Sequence, residues 1–290
     1  DDNICIDEYL YINDNTRPEV RAALAACFAG YARERTLECQ YSNDPVHNYA
    51  CELTIQNIRG FDDFEGIGGN HVAGRGDADV EFVMTYEQNT GNVPAVICNR
   101  FTNLKLFYLS RSRINHISPS SFAGCSHLEL INLDVNHIRV IPGGVFSGNP
   151  SLGILNFVNN EISTIASNAF VGTNLTQISL AQNRLSTFDR FWLEPVASTL
   201  TYLSLASNKL QRLPENAFSN LVNLLEINLN QNPGILMPSS VFRGLSNLML
   251  LRMQNNNLTE LNTGWFADLS SVSRIYLQFN LLQDIQAETF

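Results

Sequence analysis

Five histidines, His47, His71, His116, His127 and His137, are the side chains best able to move a proton or hold a metal near neutral pH. None stands in the H-E-x-x-H spacing that puts two rings on one helical face. Gly66-Ile67-Gly68-Gly69 falls short of a G-x-G-x-x-G phosphate loop, and no strand-helix-strand pattern surrounds it. No catalytic residue, cofactor or metal site is therefore expected, and the chain reads as a non-enzyme. Asp62, Asp63, Glu65, Asp77 and Asp79 offer oxygen ligands for Ca²⁺, but their spacing fits no EF-hand loop, so a solvated acidic loop is expected. Arg75-Gly76-Asp77 spells a tripeptide found in integrin ligands, yet Gly68, Gly69, Gly74 and Gly76 also fit simple turn chemistry. Asn174-Leu175-Thr176 and Asn257-Leu258-Thr259 match the N-glycan acceptor, which makes Asn174 and Asn257 glycosylation candidates.

Six cysteines, Cys5, Cys27, Cys39, Cys51, Cys98 and Cys125, all lie in the first 125 residues, and none forms a C-x-x-C pair. An even count without zinc spacing points to disulfides in an oxidising compartment. Cys39 and Cys51 flank Pro45-Val46-His47-Asn48 as the arms of a hairpin would, and pairing of Cys5 with Cys27 follows by elimination. For Cys98 and Cys125 a disulfide and two buried thiols both remain open.

The elements that would position these groups are set by one spacing. Leu104, Leu128, Leu152, Leu175, Leu200, Leu224, Leu248 and Val272 open units every 23 to 25 residues, each reading like Leu200, Leu203, Leu205, Asn208 and Leu210. The L-x-x-L-x-L segment predicts a short strand of a parallel concave sheet, apolar residues inward. Asn136, Asn160, Asn183, Asn208, Asn232, Asn256 and Asn280 then form a column able to satisfy backbone groups that would be buried unpaired. Ser112 interrupts it in the first unit. Ten residues on, Phe122, Phe146, Phe170, Phe218, Phe242, Phe266 and Phe290 form a second column. Leu193 stands in the fourth unit, with Phe191 and Trp192 beside it to compensate. Gly234 predicts an irregular turn. With Cys98 placed in the Phe column, Val80, Val83, Thr85, Gln88 and Thr90 fall into register, and a hidden unit begins near Val80.

The fold class is thus an α/β solenoid, a right-handed leucine-rich repeat horseshoe with a parallel concave sheet and a disulfide-stapled N-terminal cap. Residues 80–290 form a solenoid of about nine units. Residues 1–79 form the cap, with one helix running from a Thr16-Arg17-Pro18-Glu19 start through Val20, Leu24, Cys27, Phe28 and Tyr31, and a hairpin whose Glu52-Leu53-Thr54-Ile55 arm pairs with the first repeat strand. The chain stops mid-unit at Phe290 with no C-terminal cap, so it is expected to continue, or to be covered by another chain. It starts Asp1-Asp2-Asn3, as a processed secreted protein would.

Charge bears on partners. The net charge of −10 sits wholly in residues 1–103, whereas residues 104–290 hold 11 acidic and 11 basic side chains. Such a balance argues against nucleic acid and against an anionic membrane, and no apolar run spans a bilayer, so no direct membrane insertion is expected. The acidic third serves solubility or steers a basic partner.

These repeats resemble the extracellular "typical" leucine-rich repeat proteins, the class of Toll-receptor ectodomains, with a looser likeness to secreted insect repeat proteins. The resemblance implies a concave ligand face and a role in innate immunity. On that face the outward column runs Phe82, Leu106, Leu130 and Ile154 before turning polar at Gln177, with Met84, Tyr86, Tyr108, Val135 and Val158 beside it. A contiguous apolar patch marks either a protein-binding surface or a place where the chain covers itself. The leading reading is a secreted, extracellular recognition protein that binds another protein there. The alternative is an adhesion or matrix component that self-associates into homo- or hetero-oligomers. Asn228, Asn230, Gln231, Gln254, Asn255 and Gln278 make the C-terminal half of the face rich in amides.

Overall fold

The computed structural model describes residues 36–44, 48–56, 66–285 and 289. The helix expected from Thr16, the pairing of Cys5 with Cys27, Phe290 and the carboxylates Asp62, Asp63 and Glu65 lie outside the described residues.

Alternation of inward aliphatics with outward residues produces one short strand per turn, and stacking the turns satisfies the backbone of each strand through its neighbours. A hairpin, β1 (Thr36–Asp44) and β2 (Asn48–Gln56), begins the described chain, with β3 (Gly66–Gly68) parallel to β1. There follow β4 (Phe82–Tyr86), β5 (Leu106–Ser110), β6 (Leu130–Asn132), a two-residue β7 (Val140–Ile141), β8 (Ile154–Asn156) and a two-residue β9 (Thr164–Ile165). The last are β10 (Gln177–Ser179), β11 (Tyr202–Ser204), β12 (Glu226–Asn228), β13 (Leu250–Arg252) and β14 (Arg274–Tyr276). One sheet orders them β14-β13-β12-β11-β10-β8-β6-β5-β4-β2-β1-β3, and β7 pairs with β9 separately. From β2 to β14 every pairing in the large sheet is parallel. Helix is scarce, with a five-residue segment at Val96–Arg100 and a few 3-10 turns. The expected parallel-strand solenoid is thereby borne out.

The asparagine column is a continuous hydrogen-bond ladder. Asn208 Nδ2 donates to the Leu180 carbonyl (2.9 Å) and to Leu205 O (3.1 Å), while its Oδ1 accepts from Leu185 N (3.0 Å). Asn160 and Asn183 repeat the arrangement one turn apart, with Nδ2 reaching Leu133 O and Phe157 O at 2.9 Å each. Ser112 is too short to reach back. Its hydroxyl donates to Ser110 O, while its N–H donates to Asn136 Oδ1 of the next turn. The phenylalanine column is equally continuous. Phe122, Phe146, Phe170, Phe218 and Phe242 are fully buried, with Phe146 and Phe170 stacked at 6.3 Å and Phe218 and Phe242 at 6.1 Å. In the fourth turn one expectation needs correction. Phe191 is 49% exposed and fills nothing; Phe188, 5.0 Å from Phe218 and 5.4 Å from Trp192, takes the space beside Leu193. The 3-10 turn Arg190–Trp192 buries Trp192 and turns Phe191 outward.

At the N-terminal end Cys39 and Cys51 are disulfide-bonded with Cα atoms 5.4 Å apart, and β2 joins the sheet. Its paired residues are Ala50–Glu52, opposite Phe82–Met84, so contact is made earlier in the strand than Glu52–Ile55. Cys98 and Cys125 also form a disulfide, with Cα atoms 4.9 Å apart, which decides between the two readings of that pair. Both sulfurs lie in the buried core, one turn apart.

Candidate functional site

Parallel register lines up one outward residue per strand: Phe82, Leu106, Leu130, Ile154, Gln177, Tyr202, Glu226, Leu250 and Arg274. Strands sit about 4.8 Å apart, so Leu106, Leu130 and Ile154 form an unbroken aliphatic run across three turns. All three are half-buried, as are Met84, Tyr108, Val135 and Val158. Burial pushes the Tyr108 hydroxyl above its ordinary pKa of 10.0, so the ring enters the patch as a neutral phenol.

Phe82 departs from expectation. It is buried at 6% exposure, with its ring edge-on to Tyr108 at 5.2 Å and with buried Ala50 as its partner on the hairpin side. It supports Tyr108 and offers no surface of its own. The backbone of Tyr86 pairs opposite Ser110.

Val135 is conformationally unusual. Its φ is +53°, the left-handed region, which a β-branched side chain rarely occupies. The fold imposes this at the residue before each ladder position. Asn159 (+56°), Gln182 (+56°), Ser207 (+52°), Gln231 (+56°) and Asn255 (+55°) all share it. Glu87 (+56°) and Arg111 (+51°) share it as well, so seven turns place a polar residue there, and this one places a valine beside the aliphatic run.

At the hairpin-side edge, Asp77 and Asp79 of the expected acidic loop and the Arg75-Gly76-Asp77 tripeptide are tied into ion pairs and hydrogen bonds. Asp77 Oδ1 accepts from Arg100 Nε and His71 Nε2 at 2.8 Å each, and Tyr49 O–H lies 3.1 Å from His71 Nδ1. Arg100 also donates to Ile67 O, and Val72 N donates to the Tyr49 hydroxyl. Tyr41 stacks on His71 at 3.9 Å. Burial opposes the Asp77 charge, but the hydrogen bonds from Arg100 and His71 outweigh it and hold the carboxyl below its ordinary 3.8. Arg75 lies over the Tyr49 ring and reaches Asp79 at 3.6 Å. The Arg75-Gly76-Asp77 tripeptide is therefore folded into a latch between hairpin and first repeat. No group able to hold a metal occurs among the described residues. A nearby cavity of about 520 Å³ is lined by Arg75, Asp79, Glu81 and Lys105, whose charges pair with one another.

Along the flank after the strands, Glu161 accepts from Arg139 (3.1 Å), lies 3.1 Å from Arg184 and meets His137 at 3.3 Å. Its desolvation favours the acid, yet the hydrogen bond from Arg139, the charge of Arg184 and the hydrogen bond from His137 prevail and lower its pKa below the ordinary 4.5. Of the glycan acceptors, Asn174 is exposed with its amide donating to Pro150 O, and Asn257 is exposed with a φ of +58°.

A stacked parallel sheet with one short strand per turn, an asparagine ladder and an outward apolar run defines a repeat-built solenoid. The chain belongs to the leucine rich repeat family, whose pattern matches residues 88–138, 126–185, 173–233 and 237–282. No curated protein sequence matches it. Among solved structures it is similar to the TLR13–ssRNA13 complex, with a TM-score of 0.54 and 21% identity over 78% of this chain and 40% of that one. It is similar too to the Drosophila Toll–Spatzle complex (TM-score 0.57, 21% identity, 77% and 34% coverage) and its glycosylated form (0.60, 19%, 78% and 35%). At these identities the likeness is one of fold, and the chain spans about a third to two fifths of those chains. Among the described residues no helix is long and apolar enough to cross a membrane.

Proposed function

We propose that this chain is the recognition part of an extracellular, secreted immune-type protein, and that it binds another protein through the N-terminal half of its concave face. The observation that carries this reading is the register-aligned run Leu106, Leu130 and Ile154, half-exposed and unbroken by a polar residue, with Val135 held beside it in a strained backbone. Apolar residues gathered on a rigid sheet can exclude water from a partner's aromatic or aliphatic anchors, which is how most interface energy is concentrated. Two disulfides and the extracellular setting of the Toll-type fold support the compartment. On this reading residues 1–79 serve as the cap and 80–290 as the ligand-bearing array, and Asn174 and Asn257 carry glycans.

The test uses Leu130→Asp and Ile154→Asp alongside Val222→Asp, a charge placed at an exposed position elsewhere. Each protein captures partners from the extracellular fluid in which it occurs, after matched folding is confirmed by circular dichroism. A partner retained by wild type and Val222→Asp but lost by both concave variants is expected. Equal capture by all four proteins refutes the site, and collapse of both concave variants shows that the run is internal packing.

A further inference from the structure

At the other end of the concave face the chemistry changes. β12, β13 and β14 are followed by Asn230, Gln254 and Gln278 in one column and by Gln231, Asn255 and Phe279 in the next. With Tyr276 these side chains line a cavity of about 430 Å³, within the range of small-molecule sites. No carboxylate, cation or thiol lines it. On the neighbouring strands Arg252 Nε donates to Glu226 Oε1 at 2.8 Å, while its guanidinium lies 5.3 Å over one face of Tyr276.

Two further observations point to a ligand. Gln254 Oε1 is buried without a hydrogen-bond partner, and buried amide oxygens are seldom left so. Phe279 is 79% exposed with a φ of +60°. The same place in interior turns is exposed where it holds Asn159, Gln182, Gln231 or Asn255 and half-buried where it holds Val135 or Ser207, so Phe279 presents the most open ring of the column. A bulky aromatic at a left-handed, exposed position is costly twice over, and such costs gather at ligand sites.

We propose that this cavity binds a neutral oligosaccharide. A planar carboxamide offers a donor and an acceptor side by side, which matches adjacent sugar hydroxyls, and an open aromatic face suits the C–H face of a pyranose ring. The uncharged lining disfavours phosphate, sulfate, carboxylate and amine ligands, whose buried charge would go unpaired. The site is separate from the aliphatic run and does not depend on it.

The experiment is saturation-transfer NMR and calorimetric titration of the whole chain with chitotriose, laminaritriose and maltotriose. Binding of at least one sugar is expected. Phe279→Ala should weaken it about fivefold through the lost ring contact, and Gln278→Ala by a similar factor through the lost hydrogen bond. Val222→Asp, at an exposed position outside the cavity lining, leaves it unchanged. Phe279→Asn, the residue type used by other turns, should raise the melting temperature while weakening the sugar, a pair of signs that misfolding cannot mimic. Failure of all three sugars to bind overturns the proposal. So does binding that ignores both Phe279 and Gln278, and so does preference for an uncharged, end-capped decapeptide over every sugar.

Discussion

Replacing Val135 with asparagine should make this protein more stable and a poorer binder. The left-handed conformation costs an L-residue roughly 1–2 kcal/mol, and asparagine is the non-glycine residue that escapes most of that cost. Val135 is half-buried, so trimming its apolar surface forfeits about half of a valine's burial, roughly 0.7 kcal/mol. The backbone hydrogen bond from Val135 N to Val158 O, 2.9 Å, survives the change. The net gain is about 0.5–1 kcal/mol, equivalent to a rise in Tm of roughly 1–3 °C. The reciprocal change, Asn159→Val, puts a β-branched side chain at φ +56° and should lower Tm by a similar amount. Scanning calorimetry reads both. Binding to a partner captured through the concave face should fall about fivefold in Val135→Asn, because an apolar contact is lost. A lower Tm in Val135→Asn, or a higher one in Asn159→Val, refutes the strain argument. Unchanged partner affinity refutes the claim that Val135 belongs to the site.

Two more expectations follow from the ladder and the flank. Asn208→Ala leaves the buried Leu185 N–H without its acceptor, whereas the Leu180 carbonyl keeps Asn183 Nδ2 at 3.0 Å, so the cost is about 1–3 kcal/mol, readable by denaturant unfolding. Asn208→Asp keeps the shape but turns the donor into an acceptor facing the same carbonyl, so it should be no better; native-like stability there would remove the ladder's energetic role. Glu161→Gln loses the pairing with Arg139, Arg184 and His137. Because the folded pKa is lowered, that stabilisation is present above the ordinary glutamate value and disappears as pH falls through the folded one. The wild type should therefore be more stable at pH 7, by about 1 kcal/mol or less for partners this exposed, with the difference shrinking as pH falls below the ordinary glutamate value of 4.5. A difference that stays constant as pH is lowered through the carboxylate range would contradict it.

Features that repeat were legible in the residues. A strand recurs in each turn and a ladder asparagine and a buried ring in most, so one turn's pattern states the physics of its neighbours. The hidden turn from Val80 was readable for the same reason, and register placed Cys98 and Cys125 in adjacent turns, although spacing left open whether they bond. Contacts made once were not. Tyr49 with His71, His71 with Asp77 and Arg100 with Ile67 join residues 6 to 33 apart without period, so Asp77 read as part of a solvated loop or an adhesion tripeptide. Phe82 was placed correctly in its column, but its burial depends on the hairpin packed beside it. Phe188 replaced Phe191 because a 3-10 turn rotates the chain locally, which spacing cannot encode. The left-handed column was invisible as well. Only its tolerance of Asn, Gln and Ser hinted at it, and Val135 and Phe279 stand out once the backbone is known.

The central claim is that the aliphatic run on the concave sheet receives the protein partner. Hydrogen exchange of the chain alone and in complex with a captured partner addresses it most directly, peptide by peptide. Slowed exchange concentrated in residues 104–160, which carry β5, β6 and β8, is the predicted result. Protection confined to the phenylalanine side or to the turns beyond residue 200 would contradict it.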